Sequence, residues 1–271
     1  WALLAADERE AIARLSIFRG RFRQEAASAI TGASLFTLVT LVEKALLRVT
    51  PDWCYQLHEL TRQYAEEKLT DAVKSALRDA HATYYAGLLE QQRPRLFTSD
   101  DRQVWTTVGG ELDNIRHAWA WLIDAVGAGR ADLPLTSLLR QMAEVLANYY
   151  ISQSLWLPGE ALFNHACEGL AAAGWESAND SPAEPSSRQA TLVHIRLLTG
   201  LFHLEMGHYR VSLAVAARAL AACMAVMTRA VRLAADPARP SLEIHDRGAD
   251  QRPDGISASR QAAVPPHRQR F

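Results

Sequence analysis

Side chains able to do chemistry are sparse and scattered in this chain. A phosphate-cradling loop needs glycines followed by Gly-Lys-Ser/Thr, so that backbone amides and an ammonium surround the anion. Among 271 residues the only lysines are Lys44, Lys68 and Lys74, and none follows a glycine. Gly109-Gly110-Glu111 reads as a helix break. The nine histidines form no His-x3-His pair; His203 and His208 straddle Gly207, and His194 lies nine residues earlier. Cys54, Cys167 and Cys223 share no short spacing, so neither a zinc ligand set nor a disulfide framework is expected, and such thiols fit a reducing cytosol. No Gly-x-Ser-x-Gly nucleophile elbow occurs. Glu66-Glu67 and Asp100-Asp101 are adjacent carboxylates that point to different helix faces and make no acid/base pair. The expectation is a non-catalytic chain with no metal and no cofactor of its own.

The cations pose a separate question. Arg19, Arg21 and Arg23 cluster around a turn, and Lys44 follows a helical stripe. These four are the candidate contacts to phosphate, whether of DNA or of a nucleotide. Residues 1–72 nevertheless carry nine Lys/Arg against ten Asp/Glu, and the whole chain has a net charge of −1. A DNA reader needs a phosphate-neutralising stripe, so this balance argues against direct nucleic-acid binding.

These residues must be positioned by helices. Ala11, Ile12, Leu15 and Phe18 recur at helical spacing over 7–18, Gln24 to Ile30 gives a second helix stopped by Gly32, and Ser34 caps a third running to about Leu46. Leu47-Arg48-Val49-Thr50, a Pro51-Asp52 turn and Cys54-Tyr55-Gln56-Leu57 then read as a β-hairpin. Three short helices followed by a hairpin are the order of a winged helix. Beyond His58, 3.6-residue periodicity predicts helices near 59–70, 71–92, 101–126, 133–152, 158–173, 187–206 and 209–234. No segment approaches the roughly 20 uninterrupted apolar residues of a membrane helix. Glu176 to Ser187 reads as a surface loop. Residues 236–271, with five prolines and no apolar period, read as a disordered tail, native or the product of a shifted frame. The start, Trp1-Ala2-Leu3-Leu4, has neither an initiator methionine nor a signal peptide's basic region, and reads as the interior of a longer protein.

The helical half carries a repeat signal. Gly200, Gly207, Tyr209 and Ala219 fall at tetratricopeptide offsets: small residues let paired helices approach, Gly207 turns the chain, and Tyr209 is expected to fill the gap between helices. Trp156, Phe163 and Ala166 hold the places of Tyr209, Ala216 and Ala219, 53 residues earlier. A plain helical bundle is the competing reading. Aromatics such as Tyr84-Tyr85, Trp119, Trp121 and Tyr149-Tyr150 suit the core, with some lining a groove able to take a protein or small-molecule signal.

The N-terminal stretch resembles the STAND class of signalling NTPases of NB-ARC type, in bacterial transcription regulators of the AfsR and LuxR-like kinds. The resemblance rests on Leu15-Ser16-Ile17-Phe18-Arg19-Gly20-Arg21-Phe22, Glu25-Ala26-Ala27, Leu41-Val42-Glu43-Lys44-Ala45-Leu46-Leu47, Tyr55-Gln56-Leu57-His58-Glu59-Leu60-Thr61-Arg62-Gln63-Tyr64-Ala65, and Glu111-Leu112-Asp113-Asn114-Ile115-Arg116. It implies a mainly α chain: a winged-helix domain over 1–72, then a tetratricopeptide-like superhelical array over 73–235. It also implies an upstream NTPase domain that binds ATP and ADP, and a cytoplasmic regulator. The family's winged helix ends in a Met-His-Asp type motif whose histidine faces the nucleotide diphosphate. Leu57-His58-Glu59 matches it at the histidine alone, so the resemblance implies that His58 touches nucleotide held by the missing domain. The local alternative is a histidine that caps the hairpin-to-helix junction. A free-standing DNA-binding winged helix with a helical sensor or dimerisation domain is the rival reading of the whole.

Overall fold

The computed structural model describes residues 4–130, 134–176 and 187–234. The tail over 236–271, most of the loop from Glu176 to Ser187 and the Cys223 side chain lie outside the described residues.

Helix α1 (Ala6–Leu15) buries Ala11, Ile12 and Leu15. It ends three residues before the periodicity does. Ser16 turns its hydroxyl back onto the Ala13 carbonyl at 2.6 Å, a local bond that competes with continued helix. Two tight turns then bring Phe18 into the core. Strand β1 (Arg21–Phe22) follows, then α2 (Gln24–Thr31), closed by Gly32 at φ +75°. Helix α3 (Leu35–Glu43) is capped by Ser34, whose hydroxyl accepts from the Thr37 amide at 3.1 Å. Strands β2 (Leu47–Val49) and β3 (Tyr55–Leu57) form the expected hairpin. The two-residue β1, too short to show a period of two, adds to β3 antiparallel with Phe22 opposite Tyr55, giving the sheet order β1-β3-β2.

Helices α4 (Glu59–Glu66) and α5 (Asp71–Gln92) come next, α5 being capped by Thr70. The long helix expected over 101–126 is two helices, α6 (Asp101–Gly110) and α7 (Leu112–Gly127). They meet at Glu111, which leaves helical geometry at φ −117° and ψ 11°. Then follow α8 (Leu135–Ser152), α9 (Trp156–Ala172), α10 (Ser187–Glu205) and α11 (Tyr209–Ala234). Pro158 sits in the first turn of α9, where its missing N–H costs no helical bond. The chain is thus mainly α: a small antiparallel sheet wrapped by short helices, followed by packed helical hairpins.

The boundary expected at residues 72 and 73 falls inside the first turn of α5. Hydrophobic packing crosses it unbroken, in one cluster from Leu4 to Phe202. Helix α5 packs against α2 on one side and against α7 and α8 on the other. The described residues fall in one compact unit.

Candidate functional site

Two of the runs singled out in the sequence meet in space. Between α1 and β1 the chain turns at Gly20, with φ +71°. A Cβ there would lie 2.9 Å from Oδ2 of the exposed Asp113, so the left-handed backbone asks for glycine and a larger residue would also push the Asp113 carboxylate aside. The next residue of α7, Asn114, is fully buried. Its Oδ1 accepts from the Arg19 amide at 2.7 Å and its Nδ2 donates to the Arg21 carbonyl at 2.8 Å. One side-chain amide thereby satisfies both backbone groups that flank the turn. Beneath it, Phe18 and Phe22 stack with centroids 4.1 Å apart.

Around this tie lies a buried polar layer that residue spacing did not disclose. Glu111, next to Asn114, accepts from the Tyr85 hydroxyl at 2.9 Å and faces Arg23 at 3.8 Å. Burial raises its pKa despite these partners, because desolvation penalises the carboxylate. His81, wholly buried, lies 5.8 Å from Phe18 and 5.5 Å from His117. Burial drives His81 down to about 3 and His117 down to about 4, with nearby positive charge adding to the effect on His117. Neither Nε2 has a hydrogen-bond partner among the described residues. Arg62 ties α4 to this layer. It bonds Glu59 at 2.7 Å and Glu66 at 2.6 Å, while Arg19 and Arg78 each approach Glu66 to 3.6 Å. The Arg62 hydrogen bond holds Glu59 at about 2.

The four candidate phosphate contacts are therefore already engaged. Arg19 reaches Glu66 and the Ser16 carbonyl, Arg21 pairs with Asp52 at 2.7 Å, Arg23 faces Glu111, and Lys44 pairs with Glu8 at 2.6 Å. The reason is visible in the charge balance: each of these four has an acidic neighbour that the fold brings close. Arg48, on β2, is exposed and makes no ion pair among the described residues.

His58 stands at the N-cap of α4, where Nδ1 accepts from the Leu60 amide at 3.3 Å. The capping role is thus realised, with Nε2 left pointing from an exposed ring. The ring borders a pocket of about 510 Å³ that also includes Gly20, Arg48, Gln56 and the Glu59–Arg62 ion pair. His58, Arg48 and Gln56 are the donors there able to face one phosphate, with the Glu59 carboxylate beside them. Among the described residues no cluster of three His, Cys, Asp or Glu side chains is arranged to hold a metal.

In the helical half, Phe163, Ala166 and Ala219 are buried, and Gly200 brings α10 within 3.3 Å of Val215 when a Cβ is placed on it. Gly207 turns the chain at φ +75°. Trp156 is half-buried with its Nε1 unpartnered. Tyr209 departs from expectation: it is 69% exposed and fills no gap between helices. Phe202 does that work instead. It lies against Phe163, and a Cβ on Gly159 would overlap its ring.

No family model matches the chain, and no curated protein matches it. Among solved structures, it is similar to a signal transduction ATPase with numerous domains (STAND) that carries a tetratricopeptide repeat sensor, from Pyrococcus horikoshii. The identity is 13%, the TM-score 0.31, and the match covers 85% of this chain and 46% of that one. The chain thus spans about half the length of the structure it matches.

Proposed function

We propose that this chain is the non-catalytic regulatory part of a STAND-type, ATP-dependent transcriptional regulator, acting in the cytoplasm. In this reading the N-terminal unit is a winged helix that holds an NTPase domain in its ADP state. The helical array receives a protein or small-molecule signal. Helix, strand, two helices and a hairpin, with the first strand added beside β3, is the order that supports the winged-helix assignment.

The observation that carries the functional reading is the surface of α3. A DNA-reading winged helix lays its third helix in the major groove and needs polar and basic side chains there. Here α3 presents Leu35, Phe36 and Val39 to solvent, Phe36 being 81% exposed. Leu60 and Tyr64 of α4 are exposed beside a groove of about 660 Å³ that includes Leu4, Ile12, Lys44 and Leu46. Such surface suits a neighbouring protein domain. Signal binding would shift the resting state only through different affinities for the two states, and the Asn114 tie gives α7 a rigid grip on the N-terminal unit.

The test is duplex binding by the intact chain, followed by anisotropy of labelled DNA at low and high salt. The proposal expects no salt-sensitive binding. Binding that weakens steeply with salt would overturn it in favour of the free-standing DNA-binding regulator.

A further inference from the structure

The outer face of the small sheet carries a row of polar side chains. Strand β3 lies between β1 and β2, and Gln56 stands opposite both Arg21 and Arg48. Residues directly opposite in an antiparallel pair share a face. Arg21, Gln56 and Arg48 therefore lie side by side, while Phe22, Leu47 and Leu57 turn into the core. Arg21 is held by Asp52 at 2.7 Å. The side chains of Gln56 and Arg48 make no hydrogen bond or ion pair among the described residues. Two positions beyond Gln56 comes His58. Because its Nδ1 accepts from the Leu60 amide, the neutral ring carries its proton on Nε2.

Arg48, Gln56 and His58 meet at the pocket of about 510 Å³. The carboxylate lining it, Glu59, is turned onto Arg62 at 2.7 Å and Gln63 at 2.8 Å. Behind it, Glu66 is shared by Arg19, Arg62 and Arg78. Four arginines, with Arg48, thus surround two carboxylates, an excess of positive charge that favours an anion. Phe18, the aromatic residue of the lining, is only 2% exposed. The pocket therefore offers charge and donors to a phosphate, and no platform on which a base could stack.

We infer that this chain by itself binds a phosphate group on the outer face of the sheet, with Arg48 as the residue that selects for it. Arg48 supplies the charge, and Gln56 Nε2 and His58 Nε2 each donate one hydrogen bond. The ligand class is a phosphate end (inorganic pyrophosphate or the diphosphate of a nucleotide) held without recognition of a base. A nucleic-acid backbone is the other source of phosphate. It is disfavoured because one unpaired arginine makes a single contact and no stripe. The inference goes beyond the proposed function: it needs no NTPase domain, and Arg48 and Gln56 have no part in that reading's α3 argument.

The test titrates pyrophosphate, ADP, adenosine and a short DNA duplex into the intact 15N-labelled chain at low salt, followed by NMR shifts. Pyrophosphate and ADP should saturate with similar Kd values on the order of 1 mM, moving the signals of residues 48, 56 and 58, while adenosine moves none. Arg48→Gln should weaken pyrophosphate about fivefold, as for loss of one exposed charge contact, and Arg48→Lys should stay within about twofold of wild type. Arg48 is exposed, so these variants should fold as the wild type does. Arg218→Gln, at an exposed position on α11, should change nothing. No saturable shift up to about 20 mM pyrophosphate would overturn the inference. So would equal weakening by Arg48→Gln and Arg218→Gln, which would mean diffuse charge and no site. Adenosine binding as well as ADP would place recognition on the base, and tight, steeply salt-sensitive duplex binding would assign the face to nucleic acid; either result also overturns it. Because no NTPase domain is present, a negative result refutes this site and leaves the α3 reading standing.

Discussion

The side chain of Asn114 bridges the Arg19 amide and the Arg21 carbonyl across the Gly20 turn, joining parts of the chain 95 and 93 residues apart. Because the amide is buried, its two bonds replace water for both backbone groups. Removal leaves those groups unsatisfied, which costs more than the net worth of the bonds. Asn114→Ala should therefore lower stability by about 2–4 kcal/mol, and hydrogen exchange over residues 17–23 should accelerate more than elsewhere. Uniform acceleration along the chain would argue against a local tie.

Gly20 and Gly32 share a left-handed backbone but differ in surroundings. A Cβ at Gly32 meets nothing within 4 Å, whereas at Gly20 it meets the Asp113 carboxylate. Gly32→Ala should cost about 1 kcal/mol from conformation alone. Gly20→Ala should cost more, by urea denaturation, and Asp113→Ala should recover part of the difference.

Stability should fall as pH drops below neutrality. Unfolded histidine takes a proton near 6.5, but folded His81 and His117 resist protonation down to about 3 and 4. The unfolded state therefore binds more protons throughout that window and is favoured as pH falls. At pH 5 each histidine contributes a loss of about 2 kcal/mol relative to pH 7.5. Glu59, Glu66, Glu8 and Asp52 are held below the usual carboxylate range, so their losses come at lower pH. Glu111, raised by burial, works in the opposite sense. His81→Gln keeps that shared background, so its stability should fall less between pH 7.5 and 5. Parallel profiles would contradict this account.

Phe202 sits between Phe163 and Gly159 at the centre of the helical half. Phe202→Ala should cost about 3–5 kcal/mol by thermal or chemical denaturation. Tyr209→Ala, at an exposed position, should stay within about 0.5 kcal/mol.

Much of this fold was legible from local pattern. Periodicity located the helices, Ser34 marked a cap, and Pro51-Asp52 marked the hairpin turn. Of the small residues read as letting helices approach, Ala219 is buried and a Cβ on Gly200 would lie 3.3 Å from Val215. The misses were tertiary. Strand β1 exists because β3 offers it a ladder, and no two-residue segment announces that. The split at Glu111 falls where Gly109-Gly110-Glu111 reads as a helix break, although periodicity ran through it; what stayed hidden were the bonds of Glu111 to Tyr85 and Asn114, and Asn114 itself was visible only as part of a resembling run. Tyr209 was assigned by offset, but it is exposed with no described helix beyond it, whereas its counterpart Trp156 is half-buried. Likewise the arginine cluster looked free because its partners, Asp52, Glu66 and Glu111, lie far along the chain.

In the proposed reading His58 links this chain to nucleotide, and that role can be separated from its role as a helix cap. Asparagine is a good N-cap and has no imidazole. With the proposed NTPase domain joined to this chain, dissociation of a fluorescent ADP analogue should be measured for wild type, His58→Asn and His58→Ala. A charge-assisted bond from the ring to phosphate predicts that Asn and Ala both release ADP about 10-fold faster or more. If His58→Asn instead retains ADP as the wild type does, His58 is a helix cap and the nucleotide-clamping role proposed for the N-terminal unit is contradicted.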